Sequence, residues 1–222
     1  MLRTLILSSA LVAAFSWEAP WYCHDLDCPA FESDDFPLET GEIVEVRHYE
    51  ANLWTSTVIK GTSLMAATSE AFEKLFDYLQ GANEAGEVVD MTAPVLTYIT
   101  PGEGPNCAET FKVSFYVPYK YQDSAPPNPT ADDVFIEKID AMSVAIAAFD
   151  GFATDEQVIE EAAELAAKLQ AEGVQMVSES YYFAAYDPPF RLTNRHNEVW
   201  LPILLEAQAK PETAQMGRSV EE

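Results

Sequence analysis

The chain has 222 residues, of which 48% are hydrophobic and 22% are charged. These proportions are typical of a folded globular protein and exclude a largely disordered chain. The length suits one large domain or two small ones. The net charge of −25 argues against binding to nucleic acid or to anionic membrane surfaces, because both are polyanions.

The first sixteen residues have the pattern of a secretory signal peptide. Arg3 precedes an apolar run over residues 5–15, and small residues stand before the expected cleavage after Ser16. The run is shorter than the roughly 20 residues that a transmembrane helix needs. An uncleaved amphipathic anchor is the alternative. We expect a secreted, extracellular protein with a signal peptide at 1–16 and no segment inserted in a membrane.

The three cysteines are Cys23, Cys28 and Cys107. A secreted chain permits disulfides. Cys23 and Cys28 are close enough in sequence to close a small ring, but Cys107 could instead pair with either of them. The odd number leaves one free thiol or one intermolecular bridge. A zinc site formed by Cys23, His24 and Cys28 lacks a fourth ligand at the usual spacing.

An extended leader, residues 17–41, precedes a pattern that occurs twice. Each copy reads as two strands, one helix and two strands. Runs rich in β-branched and aromatic residues predict the strands at 42–50, 53–61, 91–99, 111–117, 133–139, 142–149, 180–186 and 198–204. Apolar residues spaced by three and four predict the helices at 64–79 and 154–170.

Thr154 and Gln157 form a capping-box pair at the start of the second predicted helix. One copy of the pattern alone would leave a face of its sheet bare. Two copies can close eight strands into a barrel or a curved sheet and cover it with two helices. We therefore expect one α+β domain over 42–206, followed by a disordered tail at 207–222.

No enzyme motif stands out in the sequence. It has no glycine-rich phosphate loop, no nucleophile elbow, no metalloprotease helix and no Cys-x-x-Cys, so no catalytic residue is predicted.

His48 is the more informative residue. By strand alternation it shares a face with Val44 and Val46. It is either a half-buried histidine with one hydrogen bond or an imidazole available to a metal centre in an apolar cavity.

The pattern Arg-His-x-Glu occurs twice, at 47–50 and at 195–198. The second copy, with His196, lies in a predicted turn, and we interpret it as coincidence and His196 as solvated or backbone-capping. Arg191 and Arg195 form a basic pair in an otherwise acidic chain. They could hold a carboxylate-bearing ligand, or pair with acidic neighbours.

Five segments of the chain resemble the SOUL heme-binding family. They are VRHYEANLWTST, KLFDYLQGANE, MTAPVLTYITPGEGP, PPNPTADDVFIE and AAYDPPFRLTNRHNEVWL, and they extend from about residue 42 to 205. The resemblance implies two pseudo-repeats that form a distorted eight-stranded antiparallel barrel flanked by two helices. It also implies binding of heme or a related tetrapyrrole. In one branch the histidine of the Arg-His-Tyr motif is a proposed axial iron ligand, which is His48 here. Other members are thought to use an apolar cleft beside the first helix.

The resulting hypothesis is a secreted carrier or scavenger of heme. The expected cofactor-binding residues are an iron ligand, two apolar contacts and three cations for the propionates: His48, Met65, Phe72, Lys60, Arg191 and Arg195. A non-catalytic interaction protein on the same scaffold, without heme, is the first alternative. A small-molecule hydrolase is the second, and a Glu with a raised pKa beside tyrosines in a closed pocket would indicate it.

Overall fold

The computed structural model describes residues 17–102 and 109–204 and shows one curled antiparallel sheet with helices packed against it. The predicted signal peptide, the predicted disordered tail and Cys107 lie outside the described residues. The strands are β1 Phe31–Pro37, β2 Ile43–Tyr49, β3 Asn52–Gly61, β4 Val95–Thr100, β5 Glu109–Tyr116, β6 Val134–Ile139, β7 Met142–Asp150, β8 Gln175–Met176, β9 Tyr181–Ala185 and β10 His196–Leu204. The helices are α1 Leu64–Leu79, α2 Tyr119–Gln122 and α3 Asp155–Ala171.

The two long helices begin and end where local chemistry predicts. The Ser63 hydroxyl accepts a hydrogen bond from the backbone N–H of Ala66 at the start of α1. The Thr154 hydroxyl accepts one from Gln157 at 3.2 Å, which confirms the N-cap of α3. Gly81 follows α1 with φ of +108°, a backbone conformation that residues with a β-carbon rarely adopt.

The strand order shows that the two repeats are interlocked. It is β1-β2-β7-β10-β9-β4-β5-β3-β6, with β8 paired beside β10. Without β1 and β8, eight strands remain. When the two repeats are exchanged, these strands have the same order, read from the opposite end. A pseudo-twofold axis therefore passes between β9 and β4. The first strand of each repeat pairs with the second strand of the other, β2 with β7 and β6 with β3. Neither repeat can complete its sheet alone.

The fold class is confirmed, and the sheet has more strands than the eight expected. Strand β1 lies inside the leader and pairs with β2 along its full length, from Phe31 opposite Tyr49 to Pro37 opposite Ile43. Its sequence, FESDDFP, has too few apolar residues for the alternation that predicts a strand. It is a strand because β2 supplies the hydrogen-bonding edge. The two-residue β8 is the other addition.

The sheet has an apolar core on each face. On one face α1 packs on β3 and β5 while α3 packs on β7 and β10, and this core includes Val44 and Val46. The other face carries an aromatic core, and the leader covers it. Large members of this second core are Tyr22, Tyr49, Trp54, Tyr116, Tyr182, Tyr186 and Trp200. The described residues include no helix that is long and apolar enough to cross a membrane.

A disulfide closes a small ring within the leader, and hydrogen bonds hold the leader to the aromatic face. The disulfide joins Cys23 to Cys28, both fully buried. Asp27 bridges to the loop before β4, where its carbonyl accepts from the N–H of Ala93 at 3.0 Å. Asp27 also accepts a hydrogen bond from the N–H of Tyr119 at 2.9 Å. The leader is therefore part of the packed structure.

Replacing Cys23 and Cys28 together by serine should lower the free energy of unfolding by about 2–3 kcal/mol, because the open leader gains conformational entropy when it unfolds. Urea denaturation of the oxidised protein and of the variant measures this difference. A reductant should weaken the natural protein and leave the variant unchanged. Equal stabilities of the oxidised protein and the variant would contradict the prediction.

Candidate functional site

A buried ion pair lies at the centre of the aromatic face. The guanidinium of Arg47 on β2 donates two parallel hydrogen bonds to the carboxylate of Glu198 on β10, both of 2.9 Å. The two side chains reach each other across β7. A second carboxylate, Glu45, accepts two more hydrogen bonds from Arg47 at 2.8 Å. A bidentate pair of this kind fixes both the distance and the orientation of its strands.

Three further donors surround the Glu198 carboxylate. They are the imidazole Nε2 of His196 at 2.7 Å, the hydroxyl of Tyr186 at 2.9 Å and the indole Nε1 of Trp200 at 2.7 Å. The two copies of the Arg-His-x-Glu pattern thus meet here. The first supplies Arg47, and the second supplies His196 and Glu198. The interpretation of the second copy as a coincidence in a turn is wrong, because His196 begins β10 and its ring is mostly buried.

These contacts determine the ionisation of Glu198. Burial alone would raise the pKa of this carboxyl, but the hydrogen bond from His196 and the positive charge of Arg47 lower it to about 2. Burial, with the negative charge of Glu198, raises the pKa of the Tyr186 hydroxyl well above its usual value. Glu198 lies beside tyrosines in a closed environment, yet it is ionised and hydrogen-bonded. It does not have the raised pKa that would indicate a hydrolase.

The leader closes the space above this cluster. The ring of Tyr22 stacks on the imidazole of His196, with centroids 4.0 Å apart and planes within 6°. It also meets Tyr186 edge-on at 4.7 Å. The ring of Phe31 lies 4.4 Å from the Arg47 guanidinium carbon. Glu198, Tyr186 and the covering role of Tyr22 are not predicted by any local sequence pattern. The repeated Arg-His-x-Glu pattern was the available signal.

His48 lies on the helix-facing side of β2, as its parity predicted, one residue before the end of the strand. Its Nδ1 is 2.9 Å from the Ser143 hydroxyl, and its Nε2 is 3.2 Å from a carboxylate oxygen of Asp34. The ring is partly exposed and Asp34 is almost fully exposed. The Ser143 contact orients the ring, while the Asp34 contact is weak because it lies in solvent.

Arg191 and Arg195 lie in the arginine loop, residues 187–195. All four hydrogen bonds of Arg195 go to backbone carbonyls of residues 151, 187, 188 and 191, and its side chain is buried. Arg191 uses Nε for Asp187 and for the carbonyls of residues 193 and 194. Within the described residues, the two terminal nitrogens of Arg191 have no hydrogen-bond partner. Arg195 therefore holds the loop together, and Arg191 can meet a ligand.

The remaining predicted residues have separate surroundings. Phe72 stacks against Phe76 and meets Phe115 edge-on, within α1 and its underlying sheet. Met65 packs against the helix-side core, and its N–H donates to Asp155 at the start of α3. Lys60 is exposed on β3. The predicted apolar contacts of Met65 and Phe72 are thus with the protein's own core.

An open depression of about 490 Å³ lies beside the arginine loop, and it is lined by Trp21, Arg191, Leu192 and Arg195 among others. Trp21, Leu192 and the neighbouring Phe190 are mostly exposed. Exposed aromatic and aliphatic side chains beside an available guanidinium are the features that an amphipathic, anionic ligand requires.

The structure places His48 far from this depression. His48 pairs with Ser143 at the start of β7, whereas Asp150 at the end of the same strand pairs with His196, next to Arg195. Seven residues of strand span roughly 23 Å. That span exceeds the distance from the iron to the propionates of one porphyrin. The six predicted residues therefore do not surround one heme.

The two ends fit different parts of a heme. The arginine loop offers a cation and apolar surface, which suit the carboxylates and the ring. The hydrogen-bond partners of His48 are a hydroxyl and an exposed carboxylate, so this end offers an imidazole as a potential iron ligand. Within the described residues, no three histidine, cysteine or acidic side chains are grouped as a metal site.

These features define a two-repeat α+β domain whose sheet is interlocked by its first strands. A family model described as SOUL heme-binding protein matches residues 26–202. The chain belongs to the SOUL heme-binding protein family. It is 40% identical to human heme-binding protein 2 over 157 residues, which are 71% of this chain and 76% of that protein. It is 31% identical to mouse heme-binding protein 1, over 71% and 82% of the two chains.

Solved structures show the same fold at low sequence identity. The C-terminal domain of EcmrR aligns with a TM-score of 0.54 and 10% identity, over 78% of this chain and 98% of that chain. EcmrR in a complex with DNA aligns with a TM-score of 0.57 and 10% identity, over 72% and 56% of the two chains. At such identities the similarity extends to the fold alone.

Replacing Arg47 by methionine should cost about 3–5 kcal/mol of unfolding free energy, because it leaves the buried Glu198 carboxylate without its cation. Adding Glu198→Leu should restore part of the loss, so that the double variant is more stable than the sum of the single effects implies. Denaturant unfolding measures all three variants. The matched control is Lys112→Met, in a partly exposed ion pair, which should cost about 1 kcal/mol or less.

Acid should weaken the fold through Glu198. Its folded pKa is lowered from 4.5 to about 2, so its contribution is present above pH 4.5 and is lost as the pH falls toward 2. Unfolding free energies measured between about pH 5 and pH 2 should fall less steeply for Glu198→Gln than for the natural protein. Identical slopes would contradict this assignment.

Proposed function

We propose that this protein binds heme or a related tetrapyrrole at the depression beside the arginine loop. The observation that carries the proposal is the position of Arg191. Its Nε is held by Asp187, and its terminal nitrogens face a surface that also carries Trp21 and Leu192. A propionate would accept hydrogen bonds from the guanidinium, and the ring would lie against the indole and the leucine. Membership of a heme-binding family supports the ligand class.

The electrostatics make burial and local contacts more important than long-range attraction. The net charge of −25 repels an anionic porphyrin at a distance. Arg191 overcomes this repulsion only at contact, where charge-assisted hydrogen bonds are strongest. Bound heme would supply an iron centre that can take further ligands. The residues named here bind and orient its periphery.

A second placement keeps His48 as an axial iron ligand. Its Nδ1 contact with Ser143 would hold the imidazole in one orientation, and Nε2 could reach an iron after releasing the exposed Asp34. Because His48 lies at the opposite end of β7, one porphyrin cannot use both His48 and Arg191. The exposed Trp21 and Leu192 beside Arg191 favour the arginine loop.

Secretion, and a role as a carrier or scavenger, are the finer parts of the proposal. The buried disulfide between Cys23 and Cys28 supports an oxidising compartment, because such bonds are rare in the cytosol. An extracellular binder needs no catalytic group. The names of the relatives, which are heme-binding proteins, describe binding and not a reaction.

Hemin titration followed by the Soret band tests the placement. Arg191→Met should weaken binding by roughly tenfold, which corresponds to about 1.4 kcal/mol. Trp21→Ala should also weaken it. The matched control is Lys138→Met, which removes an exposed cation on β6. His48→Ala should leave the affinity and the spectrum unchanged.

Two outcomes would contradict this placement. If Arg191→Met binds as tightly as the natural protein while His48→Ala loses the spectrum of a histidine-ligated iron, the ring lies at His48. If the natural protein itself gives no Soret shift with hemin, the alternative is favoured, a non-catalytic interaction protein. The exposed Phe190 and Leu192 would then be contacts for another protein.

A further inference from the structure

The pseudo-twofold axis relates the outer edge of β2 to the outer edge of β6, and in the described residues only one of these edges is paired with a further strand. At one end, the outer edge of β2 pairs with the seven residues of β1. At the other end, β6 is the last strand, and within the described residues no strand pairs with its outer edge. An open edge presents unpaired N–H and C=O groups to an added strand.

The registers identify which residues correspond. Arg47 on β2 is opposite Val144 on β7, and in the other repeat Glu137 on β6 is opposite Trp54 on β3. In the same way, Glu198 is opposite Ala148, and Lys112 is opposite Val58. The counterpart of the Arg47–Glu198 pair is therefore an ion pair between Glu137 and Lys112, of 2.8 Å, with the two signs exchanged.

The two pairs differ in their exposure. The side chains of Arg47 and Glu198 are 3% and 0% exposed, because the leader and β1 cover them. Those of Lys112 and Glu137 are 26% and 23% exposed. On the same face, Phe135 of β6 and Val58 are also exposed. The second half of this face therefore combines an open edge, an apolar surface and an acidic group, at the place that the leader fills in the first half.

We propose that the outer edge of β6 binds an extended, basic segment of a partner protein by strand addition. The counterpart of this segment is β1, whose Phe31 lies over Arg47. A segment on β6 would instead lie over Glu137, where a cation is favoured. Residues 132–140 contain four carboxylates and one lysine. A second copy of this chain is disfavoured as the partner because each copy carries a charge of −25.

Synthetic peptides of seven residues, the length of β1, test the proposal. The first alternates lysine and valine. The second has the same charge but a central proline, which removes a strand hydrogen bond. The third alternates glutamate and valine. Only the first should bind, as measured by fluorescence anisotropy, and it should protect from hydrogen exchange those amides of residues 134–139 that face away from β3.

Two variants separate the edge from the general negative charge of the protein. Phe135→Lys should weaken binding of the lysine–valine peptide by at least roughly tenfold, because it adds a like charge and removes an apolar contact. Ile159→Lys adds the same charge on α3, at an exposed position away from β6, and should leave binding unchanged.

Three results would overturn the proposal. Equal binding of the lysine peptides with and without proline would mean that attraction is electrostatic only. Protection, in the free protein, of the β6 amides that face away from β3 would mean that its own chain covers the edge, or that two copies pair there, which sedimentation would distinguish. Protection confined to other residues would place the peptide elsewhere. The outcome does not depend on hemin binding.

Discussion

The buried ion pair between Arg47 and Glu198 is the interaction on which the aromatic face depends. A carboxylate without solvent contact is tolerated only when its charge and its lone pairs are satisfied. Here Arg47, His196, Tyr186 and Trp200 do this together. Those residues come from both repeats, so the pair links β2 to β10 across β7. The leader completes the arrangement, since Tyr22 seals His196 from water.

The pseudo-twofold symmetry holds for the order of the eight strands of the two repeats, and it is broken in their surroundings. Both halves of the aromatic face carry a cross-strand ion pair, but the leader covers only one of them. The covered pair, Arg47 and Glu198, has a structural role, because its polar groups are already hydrogen-bonded within the protein. The partly exposed pair between Lys112 and Glu137 still contacts solvent, beside an open edge. One added segment of chain thus gives the two halves different roles.

The arginine loop lies next to this buried cluster and is held in place by it. Asp187 is buried and accepts from the N–H of His196, from His24 and from Arg191. These contacts tie the loop to the start of β10 and to the leader, and leave part of Arg191 exposed. A surface for an anionic, partly apolar ligand therefore lies beside a rigid cluster. His48 belongs to a different end of the sheet and a different environment.

The sequence by itself determined the repeat, the long helices with their caps, the strands of both repeats and the inward parity of His48. These features follow from local periodicity and from hydrogen bonds between residues that are close in sequence. Only the tertiary structure decided that β1 joins the sheet, that Cys23 pairs with Cys28, and that Arg47 meets Glu198. The pairing of residues 151 positions apart depends on strand exchange between the repeats, which no local pattern encodes. The same strand pairing places His48 beside the start of β7 and the arginine loop beside its end, although the hypothesis from the sequence grouped His48 and Arg191 in one site.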